Sequence, residues 1–516
     1  MRARRWWMLG VTCLSMFAVN LDLTVLNNAL PKISAALHAG TGDLQWIVDA
    51  YTLTFAGVML AAGLAGDRYG RKRLLLAGLA VFLGASVWCA LSASAAELIE
   101  ARAVLGLGAA IVFPLSLAVV SAAFGDAERP QAISAIIATV AAGLALGPVV
   151  GGVLLQHFSW DSVFWINVPA AGITLAAGIV LLPESRNPAA PPLDALGALL
   201  SAAAITCLVW GFINGPSHGW AAPATWGPLA GGAVLLAAFL AREHSAAHPL
   251  INSAIFADRR FTWGTVATVA VSVALFAVLF AVPQYLQSVV GDDPISAGVR
   301  LLPMTGGLLV AGGIAVPAAR VAGTRLTVTT GLALLAAGLA VLSQVHVTSG
   351  YGLVATGLAL AGLGSGSAIN AAMDSVMAAA GGDEAGAGAS LNSTLRQIGG
   401  AVAVAVLGSI VAASYARDLR PALAALSASQ DAVARGSISE AAQLAARLGG
   451  RSGSALQAAA GAAFLHGMST IMLICAAVAA LAAIASLRYL PGRGATGDTP
   501  PPQAYAAATP EIGTRR

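Results

Sequence analysis

Of 516 residues, 58% are hydrophobic and only 10% are charged, with 27 Lys and Arg against 23 Asp and Glu. Soluble chains carry roughly 25% charged residues, and mean hydropathy here is +0.81. So few charges cannot cover a water-facing surface, which excludes a cytosolic enzyme, a secreted disulfide scaffold and a nucleic-acid binder, and makes lipid the main solvent.

Stretches of about 20 apolar residues, enough to span a bilayer as helix, fall near 5–28, 45–66, 74–93, 98–123, 130–155, 163–182 and 195–213. They continue near 225–241, 262–289, 297–319, 326–345, 351–378, 390–414 and 463–487, fourteen in all. The first run continues past residue 20 without a small-residue cleavage site and then carries Asp22. It therefore reads as a span and not as a signal peptide.

Basic residues set the orientation. With the N-terminus inside, the inner segments hold Arg2, Arg4, Arg5, Arg68, Arg71, Lys72, Arg73, Arg129, Arg186, Arg242, Arg259, Arg260, Arg320, Arg325 and Arg488. The short outer loops hold only Lys32, and the one acidic exception is the inner loop 379–389, with Asp383 and Glu384. Both termini are expected in the cytoplasm, across a bacterial inner membrane. Residues 415–462 read as a long outer loop, in which Ser437, Ile438, Ser439 and Glu440 make a capping-box pattern. A short helical hairpin lying on the membrane is expected there. The tail 491–516, with Pro500 to Pro502, is expected to be disordered.

Several chemistries have no support. Neither lysine (Lys32, Lys72) follows the Gly-Lys-Ser/Thr step of a nucleotide-binding loop. Cys13, Cys89, Cys207 and Cys475 lie in apolar runs with no CxxC spacing, and no His pair has zinc-ligand spacing. No cofactor or metal is implied, and no clustered nucleophile suggests a membrane enzyme.

The densest motif joins the second span to the third: Gly63, Gly66, Asp67, Arg68, Gly70, Arg71, Lys72, Arg73. The glycines let two helices approach, and Asp67 can face the positive N-terminus of a neighbouring helix. A basic inner loop would explain the arginines but not the Gly-x-x-x-Asp-Arg-x-Gly-Arg-Lys spacing. In this loop the chain resembles the major facilitator superfamily. Three further stretches resemble its fourteen-helix drug:proton antiporters, of the antiseptic and antibiotic exporter type. They are Leu21 to Pro31 around Asp22, Trp46 to Tyr51 around Asp49, and the run Gly143, Gly147, Pro148, Gly151, Gly152. Arg396 to Gly400 fits the family's thirteenth helix, whereas the loop from Pro317 to Arg325 departs from the gate pattern.

The resemblance implies an all-α polytopic fold of two six-helix bundles, 1–190 and 251–490, with two inserted helices in 191–250 and alternating access between the bundles. It implies proton-driven export of amphipathic, cationic drugs, antiseptics or antibiotics. A dedicated exporter of one natural product and a proton-coupled importer remain alternatives. The implied partners are small molecules, protons and lipid. The chain is expected to act as a monomer, with a periplasmic adaptor compatible.

Depth selects the candidate residues. Asp22 lies 17 residues from Arg5, about 26 Å along a helix. Asp49 and Arg102 start the second and fourth spans from the outer side. Ionisable groups at such depth cost roughly 2.5–3.5 kcal/mol each and are functional candidates. Burial favours a protonated carboxyl and a nearby arginine favours the ionised one. Asp22 with Arg102 is thus expected to couple protons, Asp49 to attract the substrate cation, and Asp67 with Arg71 to form the inner gate. A static Asp22–Arg102 packing pair and a solvated Asp49 are the plainer readings. Asp374 and Arg396 are expected near the inner face as a gate-locking pair. Pro148 removes a backbone hydrogen bond and permits a bend, so the Gly143 to Gly152 helix is expected to rock between the halves.

Overall fold

A computed structural model describes residues 2–124, 128–186, 194–245, 253–423 and 426–492, and every regular element among them is helical. Without water in the hydrocarbon, each span must satisfy its own backbone groups, and a helix does so. Five long helices come first: α1 (Arg2–Leu37), α2 (Thr41–Tyr69), α3 (Arg71–Leu91), α4 (Ala95–Ala123) and α5 (Arg129–His157). The next span breaks at Ile166 into α6 (Ser162–Trp165) and α7 (Asn167–Leu181), followed by α8 (Ala195–His218) and α9 (Pro223–Ser245). The second half opens with α10 (Arg259–Gln284), which runs into a π-helical turn (Tyr285–Val290). Then come α11 (Pro294–Arg300), α12 (Leu302–Ala322), α13 (Thr324–Leu342), α14 (Tyr351–Leu423), α15 (Ala428–Gly436), α16 (Ile438–Leu448) and α17 (Gly450–Tyr489).

Twelve stretches of the described residues are long and apolar enough to cross a membrane. This is a multi-pass membrane protein. α5 adds a shorter apolar stretch, Leu146–His157, and α2 is not among the twelve. The tail from 493 onward lies outside the described residues.

α1 to α7 share one apolar core, including Leu30, Ile47, Phe82, Leu105 and Phe164, and α10 to α17 build a second around Val271, Leu335, Leu358 and Met472. Phe280 and Val404 cross from the second half into the first core. α8 and α9 pack on each other, and α8 meets α2 and α14 through Val209, Ile213, Leu53, Ala401 and Ala405. The outward residues of this pair, such as Leu199, Val234 and Leu240, are apolar and exposed, as a lipid-facing surface requires.

The inner loop expected over 379–389 takes a different form. α14 is helical throughout, yet Gly264 lies against Ala372 and Val376 while the adjacent Thr265 is bonded by Asn392. A straight helix would hold residues 376 and 392 about 24 Å apart. α14 therefore doubles back between them, giving two arms that both pack on α10.

The hairpin expected within 415–462 is present. α15 and α16 form it, and Ser437 Oγ accepts from Glu440 N at 3.1 Å as the pattern predicts. Ile438, Ala441 and Ala445 are buried, and hydrogen bonds tie it to both halves. Ser437 meets Ser34 of α1 at 2.8 Å, Gly436 O accepts from Thr41, and Ser439 meets Ser288 of the π turn at 3.0 Å. The hairpin bridges the two halves at the end of the molecule where α1 passes into α2.

Candidate functional site: a buried ion pair and the contact between halves

Asp22 and Arg102 meet inside the first bundle, 2% and 1% exposed. Arg102 Nη1 donates to Asp22 Oδ2 at 2.6 Å, and Asn167 Nδ2 donates to Asp22 Oδ1 at 2.9 Å. Both carboxylate oxygens are thus occupied. Arg102 Nε donates to the Ile47 carbonyl at 3.0 Å, and its guanidinium sits 4.3 Å from the Tyr51 ring centroid. Helical register produces the arrangement: Ile47, Tyr51 and Phe55 recur every four residues along one face of α2. Tyr51 stacks on Phe55, which meets Phe113 of α4 edge-on. Gly106 lets α4 approach, since a Cβ there would sit 2.3 Å from Tyr51 O.

Asp49 occupies a different face of α2. It is fully buried, and neither carboxylate oxygen has a hydrogen-bond partner among the described residues. One turn before it, Gln45 Nε2 donates to the carbonyls of Val404 and Ala405 on α14, both at 3.2 Å. One turn after it, Leu53 packs against Ala401 and Ala405. Asp49 is therefore sealed where α2 meets α14, neither joined to the Asp22 pair nor solvated.

The small-residue run of α5 is spent on two partners. Gly143, Gly147 and Gly151 face α1, and a Cβ on Gly147 would fall 1.8 Å from Thr24 Oγ1. Gly152 faces Pro294 and Ile295 at the start of α11, and Gly298 of α11 sits on the Pro148 carbonyl, where its Cβ would be 2.3 Å away. That carbonyl also accepts from Asn28 Nδ2 at 2.9 Å, and Gln287 Nε2 donates back to Asn28 O at 3.0 Å. The run thus joins α1 on one side and the second half on the other.

At the inner end, Gly70 joins α2 to α3 with φ of 120°, a conformation that favours glycine. Gly63 meets Pro114 and Gly66 meets Leu115, both on α4. The N-terminus of α3 is held by Glu184. Its carboxylate accepts from Lys72 N at 3.1 Å and Arg73 N at 3.3 Å, and Arg71 N donates to Ser185 O. The Asp67 side chain lies outside the described residues. Arg68 and Arg71 both make contacts, Arg68 on the exposed surface.

Asp374 and Arg396 are not level with each other. Asp374 is exposed near Gly264, whereas Arg396 Nε donates to Ser272 Oγ at 3.1 Å, eight residues or about 12 Å further along α10. Arg396 is thus set further along α10 than Asp374. Arg300 pairs with Asp292 at 2.7 Å and lies over Tyr351.

Sequence reasoning did not find Asn167, Gln45, Asn28, Glu184, Asn392 or Asp292. Asn and Gln cost less to bury than charges, so the amides stand out less inside apolar spans. Among the described residues, no group of three His, Cys, Asp or Glu side chains could hold a metal ion.

Comparisons place this geometry among known proteins. A family model described as the Major Facilitator Superfamily matches residues 12–404. The tetracenomycin C resistance and export protein of Streptomyces glaucescens is 33% identical over 94% of this chain and 92% of its own length. The multidrug efflux pump LfrA of Mycolicibacterium smegmatis is 34% identical, covering 93% and 95%. The methyl viologen resistance protein SmvA of Salmonella typhimurium is 33% identical, covering 91% and 95%. A bacterial homologue of the human lysosomal transporter Spinster, solved inward-facing and unoccupied, superposes with a TM-score of 0.63 at 15% identity, covering 95% and 98%. The nucleoside transporter NupG gives 0.60 at 11% identity, covering 94% and 100%. At these identities the solved structures bear on the fold alone.

Proposed function

The chain belongs to the Major Facilitator Superfamily, and from that premise we propose that it is a proton-driven exporter of amphipathic drugs, antiseptics or antibiotics, cationic ones among them. The observation that carries the reading is the Asp22–Arg102 pair, closed off from solvent inside a bundle whose relatives are named efflux pumps. In this reading α2 and α5 join the twelve as spans, so the two termini lie on one side, the cytoplasmic side by the basic inner loops, and the protein acts as an inner-membrane monomer driven by the proton gradient without a cofactor.

In the mechanism, protonation of Asp22 removes the charge that Arg102 faces. Arg102 then holds only the Ile47 carbonyl and the Tyr51 ring, so α4 is freed relative to α1 and α2. Breaking a buried pair is worth about 3–5 kcal/mol, close to the roughly 5.5 kcal/mol that inverts a two-state population from 1:99 to 99:1. The outer seal of Gln45 on α14, Gly298 on Pro148 and the hairpin is the element this energy would open. Asp49 would be uncovered as α2 and α14 part, and would then be available to a substrate cation. The inner turn at Gly70, braced by Glu184, is the matching gate with Asp67 and Arg71.

The test is transport of ethidium by the full chain in proteoliposomes under an imposed pH gradient. Movement that follows the gradient and stops with a protonophore supports the reading. Movement indifferent to the gradient removes the proton coupling. No movement of any amphipathic cation removes cation export and favours a dedicated exporter of one compound, the second reading, which the tetracenomycin relative specifically supports.

A further inference from the structure

The buried polar residues of α10 and the second arm of α14 form a group that the Asp22–Arg102 pair does not use. Thr265, Thr268 and Ser272 recur three and four residues apart on one face of α10, all buried. Thr268 and Ser272 donate their hydroxyl hydrogens to carbonyls of their own helix, which leaves their oxygens as acceptors. Asn392 Nδ2 donates to Thr265 Oγ1 at 3.1 Å and to Thr268 Oγ1 at 2.9 Å, and one turn on, Arg396 Nε donates to Ser272 Oγ. Asn392 Oδ1 is buried, takes no hydrogen bond and lies on a residue that is 0% exposed.

This group sits deep. Ser272 is 13 residues beyond Arg259, about 20 Å along α10, past the middle of a hydrocarbon core about 30 Å thick. An arginine there is a costly choice for a packing residue. It also stands at a particular level. Five residues on, Ala401 packs against Leu53 in the closed contact between α14 and α2. Arg396 is thus just inside the seal, and it is half-buried, not fully enclosed. The Nε bond to Ser272 fixes the guanidinium plane and turns the Nη edge away from α10. Two parallel N–H donors on such an edge match the two oxygens of a carboxylate.

Resting on the efflux reading, we propose that Arg396, oriented by Ser272, is the recognition site for an oxyanion, carboxylate or phenolate, on the exported amphiphile. Asn392 Oδ1 accepts from a neighbouring hydroxyl of the same molecule. The substrates are therefore not restricted to cations. Hydroxylated aromatic acids form a second class, held from the α10–α14 side of the transport path.

The test uses purified full chain with two fluorescent probes, 1-hydroxy-2-naphthoate as the acid and ethidium as the cation. Direct binding is measured first, then gradient-driven transport in proteoliposomes. Arg396→Gln should weaken naphthoate binding at least tenfold more than ethidium binding. Arg396→Lys should recover part of that loss, and Ser272→Ala, which frees the guanidinium plane without touching its charge, should fall between. Naphthoate KM should rise with little change in kcat. Wild-type protein that fails to bind naphthoate, or variants that lose both probes in the same proportion, would overturn the proposal. Because binding is read without a gradient, a wild type that binds naphthoate but moves nothing would sink the efflux reading and leave the Arg396 site standing.

Discussion

Replacing Asp22 with Asn preserves shape but not charge. The acceptor for Asn167 Nδ2 survives at Oδ1, while the group 2.6 Å from Arg102 Nη1 becomes neutral. Arg102, 1% exposed, is then a buried cation with only the Ile47 carbonyl and an aromatic face. Removing one partner of such a pair costs about 3–5 kcal/mol, or roughly two to four decades in the equilibrium between the packed and released positions of α4. Arg102→Gln alone should cost a similar amount by stranding the carboxylate. The double variant, neutral on both sides, should regain most of the stability, since apolar or neutral replacement of a whole buried pair is often tolerated. Thermal unfolding in detergent gives the stability of all four proteins, and ethidium transport under a pH gradient gives the coupling. The expected outcome is a double variant that is stable but transports without regard to the gradient, or not at all. If it instead recovers gradient-driven transport along with stability, the pair is only a packing device and the coupling assignment is wrong.

Three other outcomes are expected. Ser34 Oγ and Ser437 Oγ stand 2.8 Å apart, so Ser34→Cys with Ser437→Cys should form a disulfide that stops transport under oxidant and releases it under reductant. Transport that continues with the bond formed would show that the hairpin does not move in the cycle. Burial raises the proton affinity of Glu440 above that of an ordinary glutamate, with nearby His38 opposing and Asp43 adding. The docked hairpin therefore binds the proton more tightly than an undocked one. Docking is strongest at low pH and weakens as pH rises through the raised value. Spin-label distances between α1 and α16 across about pH 4 to 8 should show this, and Glu440→Gln should flatten the dependence. Finally, Gly147→Ala drives a methyl into Thr24 Oγ1 and should cost about 1–3 kcal/mol. Thermal unfolding should show part of that loss recovered by adding Thr24→Ala, and an unchanged midpoint in the single variant would contradict the α1–α5 packing.

Much was legible in the sequence because the membrane simplifies the physics. Where water is absent, apolar length becomes helix, so spans near 5–28 or 98–123 could be placed by composition. Scarcity made Asp22 and Arg102 conspicuous, and their matched depth from opposite helix ends made a meeting reasonable. The amides were harder to read, because Asn and Gln cost less to bury than charges and so stand out less against an apolar background. The separation of Asp374 from Arg396 along α10 was not legible, because it depends on how the two arms of α14 pack on that helix.

What the sequence determined by itself is the solvent, the helical architecture and the few ionisable groups left at depth, since these follow from transfer free energies that each segment pays alone. Only the tertiary structure decided which of those groups meet. Asp22 found Arg102 and Asn167 across 80 and 145 residues of chain. Asp49 was sealed where α2 meets α14, and Glu184 closed the N-terminus of α3. The hairpin of α15 and α16 bridged both halves. Such choices depend on helix rotation and register between segments far apart in sequence. A rotation of one residue, about 100°, is enough to exchange a partner for lipid.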